Sequence, residues 1–370
     1  MRIAFLGDMA LFGCFDVRLN SNIKANLQEI ASYLDSFDLV IGNLESPFSI
    51  KKKTWGAKSA YLCSDIANIK ILKWLHVDAV NLANNHMFDY GKEGYETTKS
   101  KLDEHGIGYF GSEGKSWKYE CVDNKILFSG FCCYSTNPLK LSDVQGGYGI
   151  NKFNINDISN LMRKAHENGY FNVIAAHVGL EHVNTPSVDH VRASRKLADI
   201  CPYFYYGHHP HVIQGVEQYK GALIAHSLGN FCFDDTYTDT SGDKPLITLT
   251  EQNRTGIIME VEIDKNEIVD WKEQMIYIEK SGKIVLKNDD GRLQTYNYEL
   301  QHCEDNVDQY IHSRNQVLAA RVADRKAMRN FSWFIKRMRP RFVKLMFDMK
   351  RNAKLYKANV KQYFLNSATL

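Results

Sequence analysis

The chain has 370 residues, of which 44% are hydrophobic and 24% are charged. This length predicts two domains or one large domain with appendages, and the composition excludes a disordered chain, a collagen-like repeat and a small disulfide scaffold. The net charge of +3 conceals an asymmetry, because the last 50 residues hold 14 Lys and Arg against two acids and carry +12, which leaves −9 on residues 1–320.

Short apolar runs alternate with amphipathic segments over the first part of the chain. In chain order the pattern predicts a strand at Arg2–Gly7, a helix at Asn22–Leu34, a strand at Asp38–Asn43, a helix at Ser64–Leu75, a strand at Asp78–Leu82, a helix at Lys92–His105, strands at Ile107–Phe110, Tyr119–Val122 and Lys125–Cys132, a helix at Ile155–Asn168, a strand at Asn172–His177, a helix at Ser187–Asp199 and a strand at Tyr203–Tyr206. This alternation is typical of an α/β sheet with helices packed on its faces.

The second part of the chain has a different pattern. Successive strands are predicted at Val212–Tyr219, Leu223–Ser227, Gly256–Ile263 and Ile268–Ile278. They indicate a second, antiparallel-rich sheet. From about Arg292 the sequence becomes helical and charged, and Pro340 is expected to break its last helix. We therefore predict a main domain over residues 1–290 and a basic helical extension over residues 291–370.

Neither a leader nor a membrane span is expected from the sequence. The apolar run at the N-terminus ends at Asp8, and no stretch approaches the roughly 18 apolar residues that a membrane helix needs. The eight cysteines are scattered without a Cys-x-x-Cys pair, which favours reduced thiols in a cytoplasmic protein. Nucleic acid is not an expected partner, because the body of the chain is acidic and contains no recognition module.

Potential metal ligands are concentrated at the ends of the predicted strands. Seven of the 13 histidines lie between His177 and His226. In an open α/β sheet, functional groups gather beyond the carboxyl ends of the strands. Carboxylate, amide and imidazole groups follow five of these ends, at Asp8, Glu45, Asn84-Asn85-His86, His177 and His208-His209-Pro210-His211. Such donors suit one or two divalent ions of Mn, Zn or Fe, and a structural polar network is the alternative.

The His209-Pro210-His211 segment adds a local geometric argument. Alternate side chains of an extended backbone share a face, so both imidazoles are predicted to point into one cleft. Pro210 prevents a helix here and stiffens the backbone.

Several of these segments together resemble the signatures of the capsule-synthesis CapA family, which is named for poly-γ-glutamate capsule biosynthesis and belongs to the calcineurin-like metallophosphoesterase superfamily. The matching segments are GD (7–8), NLE (43–45), NNHMFDYG (84–91), HVGLEH (177–182), GHHPHVIQGVE (207–217) and HSLGNFCF (226–233). The resemblance covers about residues 1–265. It implies an α/β fold in the form of a four-layer α/β/β/α sandwich, with a metal centre where the two sheets meet.

The resemblance also implies individual roles. Asp8 and His211 correspond to ligands of a first metal, Glu45 to a carboxylate that bridges two metals, and Asn85, His177 and His209 to ligands of a second metal. His86 corresponds to the residue that protonates the leaving group. The chain departs from the superfamily at its first motif, where Asp8-Met9-Ala10 lacks the usual histidine. The first ion then has a small ligand set, so that one tightly bound ion with a second weak or substrate-assisted one is the alternative to a full pair.

Further residues near these motifs are assigned with alternatives. Glu181 and His182 are predicted to act in acid–base chemistry or substrate binding, or else to orient the metal ligands. Asp89 is expected to support His86 or to cap the following helix. Trp55 and Lys58 line the cleft or belong to a solvated loop. Four residues are predicted to bind substrate: Asn84, His208, His226 and Asn230.

We interpret the chain as a metal-dependent hydrolase that attacks a phosphoester or similar bond of an anionic polymer or its precursor, in capsule, exopolysaccharide or poly-γ-glutamate synthesis. The alternatives are a γ-glutamyl amide hydrolase or transferase using the same cleft, and a non-catalytic assembly factor that binds polymer. The basic segment 330–360 has three alternative interpretations. It packs on the domain as a helix, it contacts an acidic membrane surface, or it binds a polyanion. The expected location is the cytoplasm, with peripheral contact at the inner membrane face through this segment.

Overall fold

The computed structural model describes residues 1–49, 60–133, 149–237 and 244–327 and the single positions 343, 347 and 350. Apart from these three positions, the predicted basic segment 330–360 lies outside the described residues, as do Trp55 and Lys58. The strands of the described part are β1 (Arg2–Met9), β2 (Leu39–Leu44), β3 (Ala79–Asn81), β4 (Gly108–Phe110), β5 (Trp117–Glu120), β6 (Lys125–Cys132), β7 (Phe171–His177), β8 (Tyr203–His208), β9 (Val216–Tyr219), β10 (Ala222–Ala225), β11 (Asn230–Cys232), β12 (Thr255–Asp264), β13 (Glu267–Ile278) and β14 (Ile284–Leu286).

The described strands form two sheets. The first has the order β14-β13-β12-β1-β2-β3-β4, with β11 paired to β1, and the second has the order β5-β6-β7-β8-β10-β9. In the first sheet β1 to β4 are parallel, whereas β12, β13 and β14 are antiparallel to their neighbours. In the second sheet β6, β7, β8 and β10 are parallel, and β5 and β9 are antiparallel edge strands.

The prediction of a separate antiparallel sheet in the second part of the chain is wrong. β9 and β10 form a hairpin whose second strand pairs with β8, so both join the second sheet. β12 instead pairs with β1 and extends the first sheet. The hydrophobic pattern identifies each of these segments as a strand, but pairing partners depend on which buried surfaces meet, and the pattern does not contain that information.

Helices cover the outer faces of both sheets. They are α1 (Ile23–Asn26), α2 (Gln28–Leu34), α3 (Ile69–Trp74), α4 (Gly91–Glu104), α5 (Ile155–Glu167), α6 (Val188–Ala198), α7 (Glu251–Arg254), α8 (Arg292–Gln301) and α9 (Val307–Ala327). Side-chain oxygens cap the N-termini of two predicted helices. The Asn154 side chain accepts hydrogen bonds from backbone N–H groups in the first turn of α5, and the Ser187 side chain accepts one from the first turn of α6. The predicted helix at Asn22–Leu34 divides into α1 and α2 at Leu27.

Three apolar layers separate the four layers of backbone. Between the sheets, Phe5 of β1 contacts Phe204 of β8 with 4.6 Å between ring centroids. Outside the first sheet, Leu34, Leu72 and Leu102 of the helices share a core with the sheet, and outside the second sheet Met162 and Leu197 do the same. Burial of these layers stabilises the fold by about 25 cal/mol per Å² of apolar surface. The predicted four-layer α/β/β/α sandwich is confirmed.

The last two described helices pack against the rest of the protein. Leu300, Cys303 and Tyr310 form an apolar cluster with Val188 and Val191 of α6. Among the described residues, none of the helices combines the length and the hydropathy that a membrane crossing requires. The division of the chain at residue 290 stays a prediction.

Candidate metal centre

The predicted metal ligands meet where the carboxyl ends of the two sheets face each other. Asp8 lies near the end of β1, and Glu45 directly follows β2. His177 ends β7 and His208 ends β8, while His209 and His211 follow in the next turn. The side chains of these five predicted ligands are buried, as are those of Asn85, the sixth predicted ligand, and of His208, which is predicted to bind substrate. The convergence of these strand ends is therefore as the sequence predicts.

An irregularity in β1 turns Asp8 towards this meeting point. Ile3 and Phe5 face the second sheet, so strict alternation would place residue 8 on the opposite, helix-covered face with Ala4. The register between β1 and β2 shifts between Phe5 and Asp8, which changes the direction of the carboxylate. Gly7 is required beside it, because a Cβ at this position would lie 2.2 Å from the carbonyl oxygen of Gly229.

Within the described residues, three groups of buried side chains have metal-ligand spacing: Asp8, Glu45 and His211; Glu45, His177 and His209; and Asp8, His177 and His208. In each group, one ligand atom of each residue lies within 4.8 Å of the others. His211 Nδ1 is 3.2 Å from Asp8 Oδ2, and His211 Nε2 is 3.6 Å from Glu45 Oε1. These are the residues that the sequence assigns to a first metal, without a histidine in the Asp8-Met9-Ala10 motif.

Glu45, His177 and His209 form the second group, again with ligand atoms within 4.8 Å. His177 Nε2 lies 3.6 Å from Glu45 Oε1 and 2.8 Å from Asn85 Oδ1. Glu45 belongs to the first group as well, which is the arrangement that a bridging carboxylate needs. The structure thus brings the predicted ligands of the second metal together, and their role in binding an ion stays a prediction.

The local electrostatics favour neutral imidazoles at His177 and His209, a protonated imidazole at His211 and an ionised carboxylate at Asp8. Burial lowers the pKa of His209 to about 3 and that of His177 well below its usual value. Burial acts against the charged form of Asp8 too, but its hydrogen bond to His211 and the charge on His211 outweigh it and lower the pKa of Asp8. For His211, the carboxylates of Glu45, Asp8 and Glu181 outweigh burial and raise the pKa to about 10.

These residues fit a divalent cation. Within the part of the chain that the structure describes, the buried Nδ1 of His209 has no hydrogen-bond partner. Two carboxylates, Asp8 and Glu45, are fully buried beside these imidazoles, and buried carboxylates need positive charge close by. Neutral imidazole nitrogens and carboxylate oxygens are the donors that Zn, Mn and Fe accept. The chain therefore contains a cluster of residues that could hold a metal ion.

The turn that carries His209 and His211 differs from the prediction. Both residues have positive φ angles, 100° and 57°, so the backbone is left-handed at these positions and the predicted extended conformation is wrong. The imidazoles nevertheless lie close together, with 5.8 Å between their centroids. Such conformations cost about 1–3 kcal/mol each and persist only where the surroundings enforce them.

His86 is held beside the centre by Asp89. His86 Nδ1 is 2.6 Å from Asp89 Oδ2, and the same carboxylate accepts a bond from the Leu62 backbone N–H. Asn84, predicted to bind substrate, has its amide engaged with the backbone, because Oδ1 accepts from the N–H groups of His86 and Met87 and Nδ2 donates to Leu44. This position makes Asn84 a positioning residue for His86.

Asn230 and His182 surround His211. Asn230 Oδ1 is 2.9 Å from His211 Nδ1, and its Nδ2 donates to the Asn253 carbonyl. The amide of Asn253 donates to the His211 carbonyl and lies 2.6 Å from His182 Nδ1. Both predicted site residues are therefore present at the centre, where their contacts orient the His211 ligand.

Glu181 lies at the edge of the centre, with about a third of its side chain exposed. Burial would raise the pKa of this carboxyl, but the charges on His209, His211, His182 and Arg321 lower it to about 2. The predicted acid–base or substrate-binding role of Glu181 stays a prediction.

His226 lies away from the centre. Its ring contacts His190 and Tyr205 at centroid distances of 5.0 and 5.8 Å, and its Nε2 is 3.7 Å from Glu217. These residues belong to the face of the second sheet that α6 covers. The substrate-binding role predicted for His226 at the metal centre does not fit this position, because the sheet separates it from the predicted ligands.

Two buried asparagines complete a network that sequence reasoning missed. Asn43 donates to Asp8 Oδ1 at 2.7 Å and accepts from Asn81, whose Nδ2 also lies 3.2 Å from His208 Nε2. His208 Nδ1 in turn lies 2.8 Å from His177 Nδ1. His208, predicted to bind substrate, thus supports the ligands, and together with Asp8 and His177 it forms the third group that could hold an ion. The available signal was an asparagine at or next to the carboxyl end of each of two predicted strands, Asp38–Asn43 and Asp78–Leu82.

Comparisons with known proteins agree with the resemblance stated above. The family model described as "Bacterial capsule synthesis protein PGA_cap" matches residues 2–235. The chain is 28% identical over 315 residues to the PGA biosynthesis protein CapA of Bacillus subtilis (strain 168), covering 78% of this chain and 80% of that one. It is 29% identical over 252 residues to the capsule biosynthesis protein CapA of Bacillus anthracis, covering 65% of this chain and 61% of that one.

Among solved structures, the calcineurin-like phosphoesterase YfkN from Bacillus subtilis aligns with a TM-score of 0.44 and 15% identity, over 84% of this chain and 98% of that one. A hypothetical protein from Thermus thermophilus aligns with a TM-score of 0.44 and 16% identity, over 74% of this chain and 98% of that one. The family match spans more than half of the 370 residues. The chain therefore belongs to the bacterial capsule synthesis protein family PGA_cap.

Proposed function

We propose that this protein is a metal-dependent hydrolase that cleaves a phosphoester or related bond of an anionic substrate in the synthesis of a capsule, exopolysaccharide or poly-γ-glutamate polymer. The observation that carries the proposal is the pair of buried ligand groups that share Glu45. Membership of a capsule synthesis family supports an anionic polymer, or its precursor, as the substrate.

The ligand groups support two ion positions of unequal strength. Asp8, Glu45 and His211 would hold one ion, and Glu45, Asn85, His177 and His209 the other. When bound, divalent cations of this kind supply Lewis-acid stabilisation of the substrate oxygens and activate water for attack. Met9 and Ala10 are buried and apolar where the superfamily has a further ligand, so we expect the first position to bind more weakly.

His86 is the residue best placed to move a proton. Its Nδ1 is engaged with Asp89, so we assign proton transfer to the leaving-group oxygen to its Nε2. Asp89 holds the ring in this orientation. Asn43 and Asn81 keep Asp8 and His208 in place during this step.

Metal analysis combined with an activity assay tests the proposal. Wild-type protein prepared with Mn²⁺ or Zn²⁺ is expected to carry one or two ions and to hydrolyse phosphate mono- or diesters of p-nitrophenol. His209→Ala is expected to lose metal and activity, whereas His166→Ala, an exposed histidine on α5, keeps both. Wild-type protein that binds no ion would contradict the enzyme and favour the non-catalytic assembly factor.

A γ-glutamyl amide hydrolase or transferase is the second candidate. The observation in its favour is the name of one relative, a PGA biosynthesis protein. Assaying γ-glutamyl peptides beside the phosphate esters, with the same metal-loaded protein, separates the two bonds. Turnover of the peptides alone would replace the phosphoester by an amide in the proposed reaction.

We further propose that the protein works in the cytoplasm and touches the membrane surface through the basic segment 330–360. The net charge of +12 on the last 50 residues supports attraction to anionic lipid. The free thiols of Cys14, Cys121 and Cys303 support a reducing compartment. Removing the residues after Asn330 is expected to abolish co-sedimentation with anionic vesicles, and unchanged sedimentation would contradict the contact.

A further inference from the structure

The helix α9 lies outside the family match, yet it is attached to a loop of the metal centre. The match ends at residue 235, and α9 spans Val307–Ala327. Tyr310 donates through its hydroxyl to the Pro186 carbonyl at 3.0 Å, and Arg314 donates through Nε to the Thr185 carbonyl at 3.2 Å. Both carbonyls belong to the segment that follows β7, which also carries Glu181 and His182.

The same face of α9 places Arg321 next to Glu181. Positions 310, 314 and 321 share one face of a helix, because they are separated by about one and three turns. Arg321 Nη2 lies 3.4 Å from Glu181 Oε2. Arg321 is thus the residue by which α9 reaches the edge of the predicted metal centre.

The Glu181–His182 segment packs directly on the turn of the predicted ligands. The backbone N–H of His182 donates to the Pro210 carbonyl at 2.6 Å, between His209 and His211. The His182 and His211 rings have centroids 6.2 Å apart. The guanidinium of Arg321 is therefore linked through Glu181 to the segment that packs on the predicted ligands.

The chemistry of arginine suits an anionic ligand. Its planar guanidinium has five N–H donors and binds a carboxylate or a phosphate in a bidentate manner. The Arg321 side chain is 19% exposed, so solvent and a ligand have access to it. The contact with the Glu181 carboxylate fixes the orientation of the Arg321 guanidinium. Less conformational entropy is therefore lost when a substrate binds.

We propose that Arg321 is a substrate-binding residue of the metal centre, which binds an anionic oxygen group of the substrate, carboxylate or phosphate, while Glu181 holds its guanidinium in place. This inference rests on the proposed function, since it needs an anionic substrate at that centre. It also assigns to α9, a part of the chain outside the family match, a role in substrate specificity.

Anion binding to metal-loaded full-length protein tests this inference without relying on turnover. Calorimetric titration with inorganic phosphate, and separately with a γ-glutamyl dipeptide, distinguishes the phosphate from the carboxylate. Arg321→Gln is expected to weaken binding of at least one of the two about tenfold, the effect of losing one charged hydrogen bond. Arg321→Lys keeps the charge but loses the bidentate geometry, so a smaller loss is expected.

Lys326→Gln provides the matched control, because it removes the same charge from an exposed position of the same helix. It is expected to bind both anions like the wild type. All variants are compared for metal content and thermal unfolding, which Arg321→Gln is expected to leave unchanged. If Arg321→Gln binds both anions as Lys326→Gln does, or if it loses metal, the inference is wrong.

The failure of this inference is distinguishable from that of the proposed function. If wild-type protein carries metal and turns over substrate while Arg321→Gln binds both anions normally, only the assignment of Arg321 is overturned. If wild-type protein carries metal but binds neither anion, both the assignment and the anionic substrate are contradicted. Should Arg321→Gln unfold, the comparison of Arg321→Lys with Lys326→Gln gives the same decision.

Discussion

Two groups of buried histidines lie on opposite faces of the second sheet, and their charges are balanced differently. The metal cluster consists of Asp8, Glu45, His177, His209 and His211, and the outer cluster consists of His190, Arg195, Glu217 and His226. Both contain fully buried imidazoles and carboxylates. Burial lowers the pKa of His190 well below its usual value, as it does for His177.

The difference lies in the cation that faces each carboxylate. In the outer cluster, Arg195 Nη2 lies 2.6 Å from Glu217 Oε2, and its Nε lies 3.2 Å from both oxygens. This bidentate pair balances the buried charge within the protein. In the metal cluster the neighbours of Asp8 and Glu45 include imidazoles and amides. Buried histidine and carboxylate alone therefore do not identify a metal site, because the outer cluster contains both and balances them with a guanidinium.

The largest expected effect comes from the shared carboxylate. Glu45→Gln removes a ligand of both proposed ion positions, so we expect metal content and hydrolytic activity to fall to background. Glu217→Gln makes the same chemical change in the outer cluster and is expected to keep the metal content per folded chain. Elemental analysis by mass spectrometry measures both, and equal metal content in the two variants would contradict the comparison.

His86 lies beside the metal cluster and belongs to none of the three ligand groups found among the described residues. His86→Gln removes the proposed proton donor and is expected to lower kcat by about 10²–10⁴-fold. Metal content is expected to stay at the wild-type value, because the ligands remain. A loss of ions from this variant would mean that His86 itself is a ligand and would overturn the assigned role.

The outer cluster is expected to matter for stability alone. Arg195→Met leaves Glu217 buried without its guanidinium, which is expected to lower the free energy of unfolding by about 3–5 kcal/mol. Arg192→Met is the control, since Arg192 pairs with Glu304 and about half of its side chain is exposed. Urea unfolding followed by circular dichroism measures the difference. Equal stabilities would show that the Arg195–Glu217 pair does not provide the balance described above.

Chelation is expected to have a smaller effect that is confined to the metal cluster. At a metal concentration about 100-fold above Kd, bound metal stabilises the folded state by about 2.7 kcal/mol, and EDTA removes this contribution. Wild-type protein and Glu217→Gln are expected to melt at lower temperature after chelation. Glu45→Gln is expected to show no shift, and a shift of the same size in this variant would place the metal elsewhere.

The comparison also shows how far the sequence predicts this molecule. Donors at five strand ends were enough to predict where Asp8, Glu45 and His177 meet, because the carboxyl ends of parallel strands share one edge. His226 is also predicted to bind substrate at the centre, although it follows β10 with its side chain on the other face of the sheet. The face of the sheet to which a side chain points depends on the strand register and on local bulges. A sequence pattern determines neither of these.

Contacts between distant segments were the least predictable part. Asn43 and Asn81 support ligands on other strands, and Arg321 approaches Glu181 across 140 residues of sequence. Such contacts depend on packing of the sheets and of α9, which leaves no periodic signal in the chain. The left-handed turn at His209 and His211 was likewise unexpected, because side chains other than glycine rarely adopt it.

The most direct test of the metal cluster is an anomalous diffraction measurement on crystals grown with Mn²⁺. The account predicts a peak in the anomalous difference map at the group formed by Glu45, His177 and His209, and a second, weaker one at the group formed by Asp8, Glu45 and His211. A map without a peak at either group, or with its strongest peak at the outer cluster, would contradict the central claim.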